Sequence, residues 1–355
     1  MPYLNTTEVD SAVANLATAY PGLCQRVDLP ETSVEKVACH ALRMGASSPG
    51  TSDCVVLIGG VHAREWGSCE ILVHFAADVL EAYQTGTGLV YGGKKFTAAQ
   101  VKEVLEKHDL VVFPLVNPDG RHYSQTVEAM WRKNRNPAYA SGDGPCVGVD
   151  INRNYDFLFD AKKAFSPTAP VQVSDQPCDP QVYQGPKPFS EPETRNVRWL
   201  LDTYPRTRWF VDVHSYSEDM LYVWGDDENQ TAEASMNFHN AQYDGLRGDA
   251  GDTAYREYIT HDDLAELTRL AQSFTDGLKA VRGTSYTPKS GFALYPTCGT
   301  SDDYAFARHI VEDGKEKILA YTVEWGTEFQ PKWAEMVQII KDVDAGLLQF
   351  CLDAP

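Results

Sequence analysis

Apolar residues recur along this chain in two rhythms. The runs "CVVLIGG" (54–60), "DLVVFPLV" (109–116), "RWFVDVH" (208–214) and "KILAYTVEW" (317–325) are short and almost continuously apolar, the pattern of strands buried on both faces. "KVACHALRM" (36–44) alternates as a half-solvated strand does, and "MLYVW" (220–224) adds another short strand. Between them, apolar residues fall at helical spacing in residues 6–20, 69–83, 97–108, 190–204, 262–281 and 332–350. Ser190 and Glu193 have the spacing of a capping box at the start of the fourth of these helices. Strands and helices alternate without internal repeat or low-complexity linker. This predicts a single α/β domain over residues 1–355, with a mixed, mostly parallel central β-sheet flanked by α-helices. Two stretches rich in Pro, Gly and polar residues, around 157–189 and 217–260, are longer than a connection requires and read as enlarged functional loops.

With 355 residues and 43% hydrophobic content, the chain can bury a large core. Its formal charge of −19 argues against nucleic acid and anionic membranes as partners and is compatible with cationic substrates. No apolar run approaches the length of a membrane span. The opening "MPYLNTTEVD" has neither the basic nor the apolar part of a signal peptide, and no pro-segment is recognisable ahead of the first helix. The chain therefore reads either as cytoplasmic or as a mature exported form. Eight cysteines without a CxxC pair argue against a Cys-rich zinc site and leave disulfides and free thiols both open.

The candidate chemistry begins at "GGVHAREWGSCE" (59–70), where His62-x-x-Glu65 follows a buried strand. A second copy, His309-x-x-Glu312, lies in a charged stretch with a polar helical face, where an i, i+3 pair is ordinary surface. Asn152 and Arg153 sit in the loop "GVDINRNYDF", and His214 and Glu324 end two strands. Ligand sites of open α/β sheets form at the carboxyl ends of strands, so these positions can converge. A catalytic zinc takes three protein ligands and leaves a fourth place for water, which His62, Glu65 and a distant His214 can satisfy.

"GGVHAREW", "NPDGRHYS", "MWRKNR", "GVDINRN", "FVDVHSY", "LYPTCGTSDDYAF" and "YTVEWG", in this order, resemble the signature of the zinc metallocarboxypeptidases of the carboxypeptidase A/B type, over roughly Cys54 to the closing helix. The resemblance implies that fold and one catalytic Zn²⁺ held by His62, Glu65 and His214, the His₂Glu set established for carboxypeptidase A. It makes Glu324 the general base, Arg135 the cation that stabilises the developing oxyanion, and Asp150 the carboxylate that orients His62. Arg153 and Asn152 would hold the substrate's terminal carboxylate, and Tyr295 would close over it. Arg64, Ser215 and Tyr216 would line subsites beyond the scissile bond. Cys146 and Cys178 fall where many members carry a disulfide, which favours a secreted or periplasmic protein over a cytoplasmic one. Cys24 and Cys39 form a weaker second pair, and the other four cysteines are unassigned.

The activity implied is hydrolysis of the C-terminal peptide bond of peptides or proteins by a monomeric metalloprotease. Asp302 would stand at the base of the pocket for the last side chain, where members preferring Lys or Arg carry Asp. Two alternatives remain for that residue: an aromatic or aliphatic preference, or neutralisation of Asp302 by Arg247 or Arg256. A zinc amidase or deacylase of the same fold would lack Tyr295 and "WRKNR". A catalytically dead binding protein would lack a ligand or the base. All of these are present.

Overall fold

The computed structural model describes residues 3–139 and 146–355. Among them the helices are α1 (Thr6–Ala19), α2 (Gly67–Thr85), α3 (Ala98–Lys107), α4 (Pro118–Thr126), α5 (Ala161–Ala164), α6 (Pro192–Thr203), α7 (His261–Arg282), α8 (Ser301–Val311) and α9 (Trp333–Asp353). The strands are β1 (Cys24–Asp28), β2 (His40–Met44), β3 (Asp53–Gly59), β4 (Leu89–Tyr91), β5 (Lys94–Phe96), β6 (His108–Phe113), β7 (Thr207–His214), β8 (Asp219–Tyr222), β9 (Asn229–Gln230), β10 (Glu257–Tyr258), β11 (Thr287–Ser290) and β12 (Leu319–Glu324).

Eight strands form the central sheet in the order β1-β2-β6-β3-β7-β12-β8-β11. The middle of it, β6-β3-β7-β12, is parallel, and the pairs β1-β2, β2-β6 and β12-β8 are antiparallel. The central strands are the ones with continuous apolar runs: Val55 to Ile58, Leu110 to Phe113 and Phe210 to Val211 are fully buried. Helices α2, α9 and α7 pack side by side over this core, and α8 packs on β7 and β12. The expected α/β domain with a mixed sheet is thus the observed one.

Local expectations fail where tertiary contacts override the pattern. Of residues 36–44 only His40–Met44 is strand, because the preceding residues turn at Lys36 (φ 71°). The capping box is absent: with Pro192 at its first turn, α6 takes Glu191 as N-cap, and Glu193 instead accepts a bond from the Asn134 amide (3.2 Å). Cys24 pairs in register with Met44, and Cys39 lies before the other end of the β1-β2 hairpin, so both thiols are buried and free. The Cys146–Cys178 disulfide is present. No helix among the described residues is long and apolar enough to cross a membrane.

A buried ion pair fastens the N-terminal segment beside the site. Arg121 donates to the Trp66 carbonyl (2.7 Å), the Leu4 carbonyl (2.6 Å) and Glu70 (3.2 Å), while the Leu4 amide donates to the same carboxylate (2.6 Å). Burial pushes the Glu70 carboxyl upward, opposed by Arg121. Arg121→Leu is expected to destabilise the protein by about 3–5 kcal/mol, because a buried charge loses its partner. Glu70 would then hold a proton more tightly folded than unfolded, a contribution lost as pH rises, so the deficit should be smaller at pH 5 than at pH 8. Chemical denaturation at the two pH values measures this.

Candidate metal centre and active site

Three adjacent parallel strands bring the reactive residues together. In register, Gly59 of β3 lies beside Val213 of β7, and His214 lies beside Glu324 of β12. All three chains leave the sheet at the same edge. Beyond β3 the backbone turns at Gly60 (φ 63°), where a Cβ would come 2.8 Å from the Cys69 sulfur. This tight turn presents His62 and Glu65 before α2 begins.

His62, Glu65 and His214 are all buried, with their ligand atoms within 4.8 Å of one another. Glu65 spans the two rings: Oε1 lies 2.8 Å from His62 Nδ1 and Oε2 lies 3.0 Å from His214 Nδ1, with the two Nδ1 atoms 3.0 Å apart. Tetrahedral zinc with bonds near 2.05 Å separates its ligand atoms by roughly 3.3 Å, so the donor set and its spacing fit that ion. The flanking imidazoles pull the Glu65 carboxyl well below the usual carboxylate range, against the effect of burial. Asp212 and Glu65 together raise the His214 imidazole, despite its burial.

The outer nitrogen of each ring faces a carboxylate, the arrangement that orients metal-binding imidazoles. His62 Nε2 is 3.1 Å from Asp150 Oδ1, and His214 Nε2 is 2.9 Å from Asp212 Oδ2. Asp212 was not anticipated, although its position two residues before His214 on one strand places it on the same face. Ser301 donates to it (2.6 Å).

The motif "WRKNR" delivers a different arginine from the one expected. Arg135 is not brought to the centre: its guanidinium stacks over Tyr123 (3.7 Å) and Trp131 (4.6 Å). Arg132 lies there instead, its Nε and Nη2 donating to Asp150 Oδ2 at 3.0 and 2.9 Å. Its charge acts on Glu65, Tyr295 and Glu324. The spacing within the loop turns the two arginines in opposite directions, which no local pattern encodes. Glu324 ends β12 with part of its surface open to a pocket; burial first, then the Glu65 charge, push its carboxyl up to about 8.

That pocket is shared by Asn152, Arg153, Tyr295, Asp302, Thr322 and Glu324. Arg153 is buried, its Nε donating to the Gln172 carbonyl (2.6 Å) and its Nη1 to the Asn152 carbonyl (2.5 Å). The Asn152 side chain accepts from the Ser301 amide (2.9 Å). Tyr295 is 37% exposed at the rim of this pocket. Asp302 accepts from Thr322 Oγ1 (2.9 Å) and the Asp303 amide (2.9 Å), and among the described residues no cation pairs with it. Arg256 pairs with Glu228, and Arg247 with Asp244 and backbone carbonyls. Ser215 donates its amide to Glu65 (3.2 Å). Arg64 bonds Gln181 (2.8 Å) and lies 4.2 Å over Phe329, whose ring also meets Tyr216 at 4.8 Å. His309 is elsewhere, its Nδ1 bonded to the Phe306 carbonyl (2.6 Å).

A buried His₂Glu centre at the carboxyl edge of a mixed α/β sheet, beside a pocketed carboxylate and an arginine, is the architecture of a metallohydrolase. Comparison with known proteins gives the family. Residues 9–345 match the family model described as zinc carboxypeptidase. The chain is 30% identical to carboxypeptidase B of Astacus astacus over 325 residues, 91% of this chain and 86% of that protein. It is 29% identical to carboxypeptidase A2 of Rattus norvegicus over 307 residues, 86% of this chain and 59% of that protein, so it spans about three fifths of the latter's length. Its fold matches the crystal structure of thrombin activatable fibrinolysis inhibitor with a TM-score of 0.74 at 21% identity, over 98% of this chain and 73% of that one. Carboxypeptidase A from Helicoverpa armigera matches with a TM-score of 0.71 at 18% identity, over 99% and 74%. This chain belongs to the zinc carboxypeptidase family.

His62→Ala is expected to abolish stoichiometric zinc binding, whereas His309→Ala should leave it intact. Elemental analysis of the dialysed proteins decides between the two copies of the motif.

Proposed function

We propose that this chain is a zinc-dependent carboxypeptidase that hydrolyses the C-terminal peptide bond of polypeptides and prefers Lys or Arg as the last residue. The observation that carries the reading is the shared pocket: Arg153 and Asn152, which suit a terminal carboxylate, stand with Glu324 and the cation-free Asp302 around one cavity beside the His₂Glu centre.

His62, Glu65 and His214 would hold the zinc, which when bound would supply Lewis acidity and a water whose pKa is lowered toward about 7. Arg153 offers two parallel N–H donors to the terminal carboxylate, and Asn152 another, which fixes how far the chain end enters. Glu324 accepts a proton from the attacking water and returns it to the leaving amine. Arg132 faces the same centre and takes the oxyanion-stabilising role expected of Arg135. Tyr295, half exposed at the mouth, excludes water on closing over the chain end. An Asp302 left unpaired by the protein is satisfied by a substrate ammonium or guanidinium, whereas an apolar side chain leaves it desolvated. The disulfide supports action in an oxidising compartment outside the cytoplasm.

Glu324→Gln should lower kcat by at least about 10²-fold while zinc content stays at the wild-type level. Near-normal turnover in this variant would remove Glu324 from the base role. For specificity, kcat/KM on blocked dipeptides ending in Arg and in Phe should favour Arg, and Asp302→Ala should abolish that preference. A wild-type enzyme that favours Phe overturns the basic specificity and leaves the exopeptidase reading standing.

A further inference from the structure

Behind the pocket floor lies a second acidic layer that neither the metal centre nor the substrate clamp uses. Gly225 lines the pocket and donates its amide to both oxygens of Asp303, at 3.2 and 3.1 Å. A Cβ on Gly225 would come 2.4 Å from Thr297 Oγ1 and 2.9 Å from Asp303 Oδ2, so backbone alone separates the two layers. The next residue, Asp226, is fully buried, and apart from a proton held by Glu257 its carboxylate oxygens have no side-chain donor among the described residues.

The groups facing Asp226 come from every side. Glu257 of β10 is also fully buried, accepting from the Phe238 amide (3.0 Å) and Tyr255 Oη (2.5 Å). Asp303 of α8 and the neighbouring Asp227 add two more carboxyls, and Cys298 lies within reach of the Asp226 charge. Arg247 is the cation of this layer, acting on Asp226 and Glu257; its Nη groups bond Asp244 and the carbonyls of Ala164, Tyr243, Asn237, Phe238 and Asn240, while its Nε is buried without a hydrogen-bond partner among the described residues. Two carboxyls can hydrogen-bond only if one carries a proton, so Asp226 and Glu257 share one. Burial holds Glu257 and Asp303 far above the usual carboxylate range and lifts Asp226 to about 6.

We propose that Asp226 is a second specificity determinant, a buried charge behind Asp302 and Asp303 that strengthens the pocket for a cationic last residue without touching it. The inference rests on the basic specificity proposed above. Because the folded pKa is raised, Asp226 is neutral below about pH 6 and negative above it, and its attraction for a substrate cation grows as pH rises through that value. Low-dielectric surroundings keep such a charge effective over several ångströms, so the gain should be on the order of tenfold in affinity.

The test is the ratio of kcat/KM for blocked dipeptides ending in Arg and in Phe, measured on the zinc enzyme between pH 5 and 8; the ratio cancels ionisations, such as that of Glu324, that affect both substrates. The wild-type ratio should rise by about tenfold over that range. In Asp226→Asn, which keeps an acceptor for the Glu257 proton, the ratio should stay flat and fall about tenfold below wild type at pH 8, with the loss in KM for the Arg substrate rather than in kcat. An Arg-preferring wild type whose ratio is flat with pH overturns the inference even if the variant does not fold. A variant with the wild-type ratio and pH profile overturns it too, while leaving the basic specificity intact. A wild type without preference for Arg overturns both.

Discussion

Glu65 held between two imidazoles is the constraint around which the rest of this protein is arranged. A carboxylate buried this deeply is stable only with charge and hydrogen bonds on every side, and it receives both rings and the Ser215 amide. The rings are themselves fixed from behind by Asp150 and Asp212. Around this core stand four carboxylates (Glu65, Asp150, Asp212 and Glu324), with Arg132 the cation bonded among them. A divalent cation would balance the excess negative charge; burial first, and then the Glu65 charge, push the Glu324 carboxyl upward. Its place in the sheet follows: adjacent parallel strands ending at one edge bring residues 62, 65 and 214 to a single point.

The two long segments act as the walls of this site rather than as loose insertions. They lock onto each other: the Ser166 amide donates to the Arg247 carbonyl (2.9 Å), the Gly245 amide to Ala164 (3.0 Å), and the Arg247 guanidinium gathers carbonyls from both. From there the first segment reaches the clamp, where the Gln172 carbonyl receives Arg153 and its amide donates to the Pro296 carbonyl (2.9 Å) beside Tyr295. The second places Asp226 and Glu257 behind the pocket floor. Segments that look polar and irregular in the sequence are thus satisfied internally by a buried arginine. That is how irregular backbone can be both long and ordered.

The acidic character of the chain is distributed to purpose. The whole chain carries a formal net charge of −19, a field that attracts cations over long distances. Most of the buried ones around the site do something else, held by the partners named above. Asp302 is the exception in the pocket, bonded only by a hydroxyl and an amide.

Much of this was legible in the residues themselves. Continuous apolar runs marked β3, β6, β7 and β12, because strands buried on both faces have no polar side to alternate with. The ordered motifs marked His62, Glu65, His214 and Glu324, because ligand and base chemistry admits few residue types. Other features depended on contacts between residues far apart in the chain. Local spacing cannot tell which arginine of "WRKNR" turns inward; Asp150, reached only in the folded chain, decides for Arg132. Pro192 and a buried Asn134 overrode a well-formed capping pattern at Ser190 and Glu193. Whether a protein cation pairs with Asp302 was likewise decided only by the fold, which commits Arg247 to Asp244 and Arg256 to Glu228. Periodicity and residue chemistry act within a few residues and are written in the sequence, whereas the pairing of buried charges is settled by which distant partners the fold brings within reach.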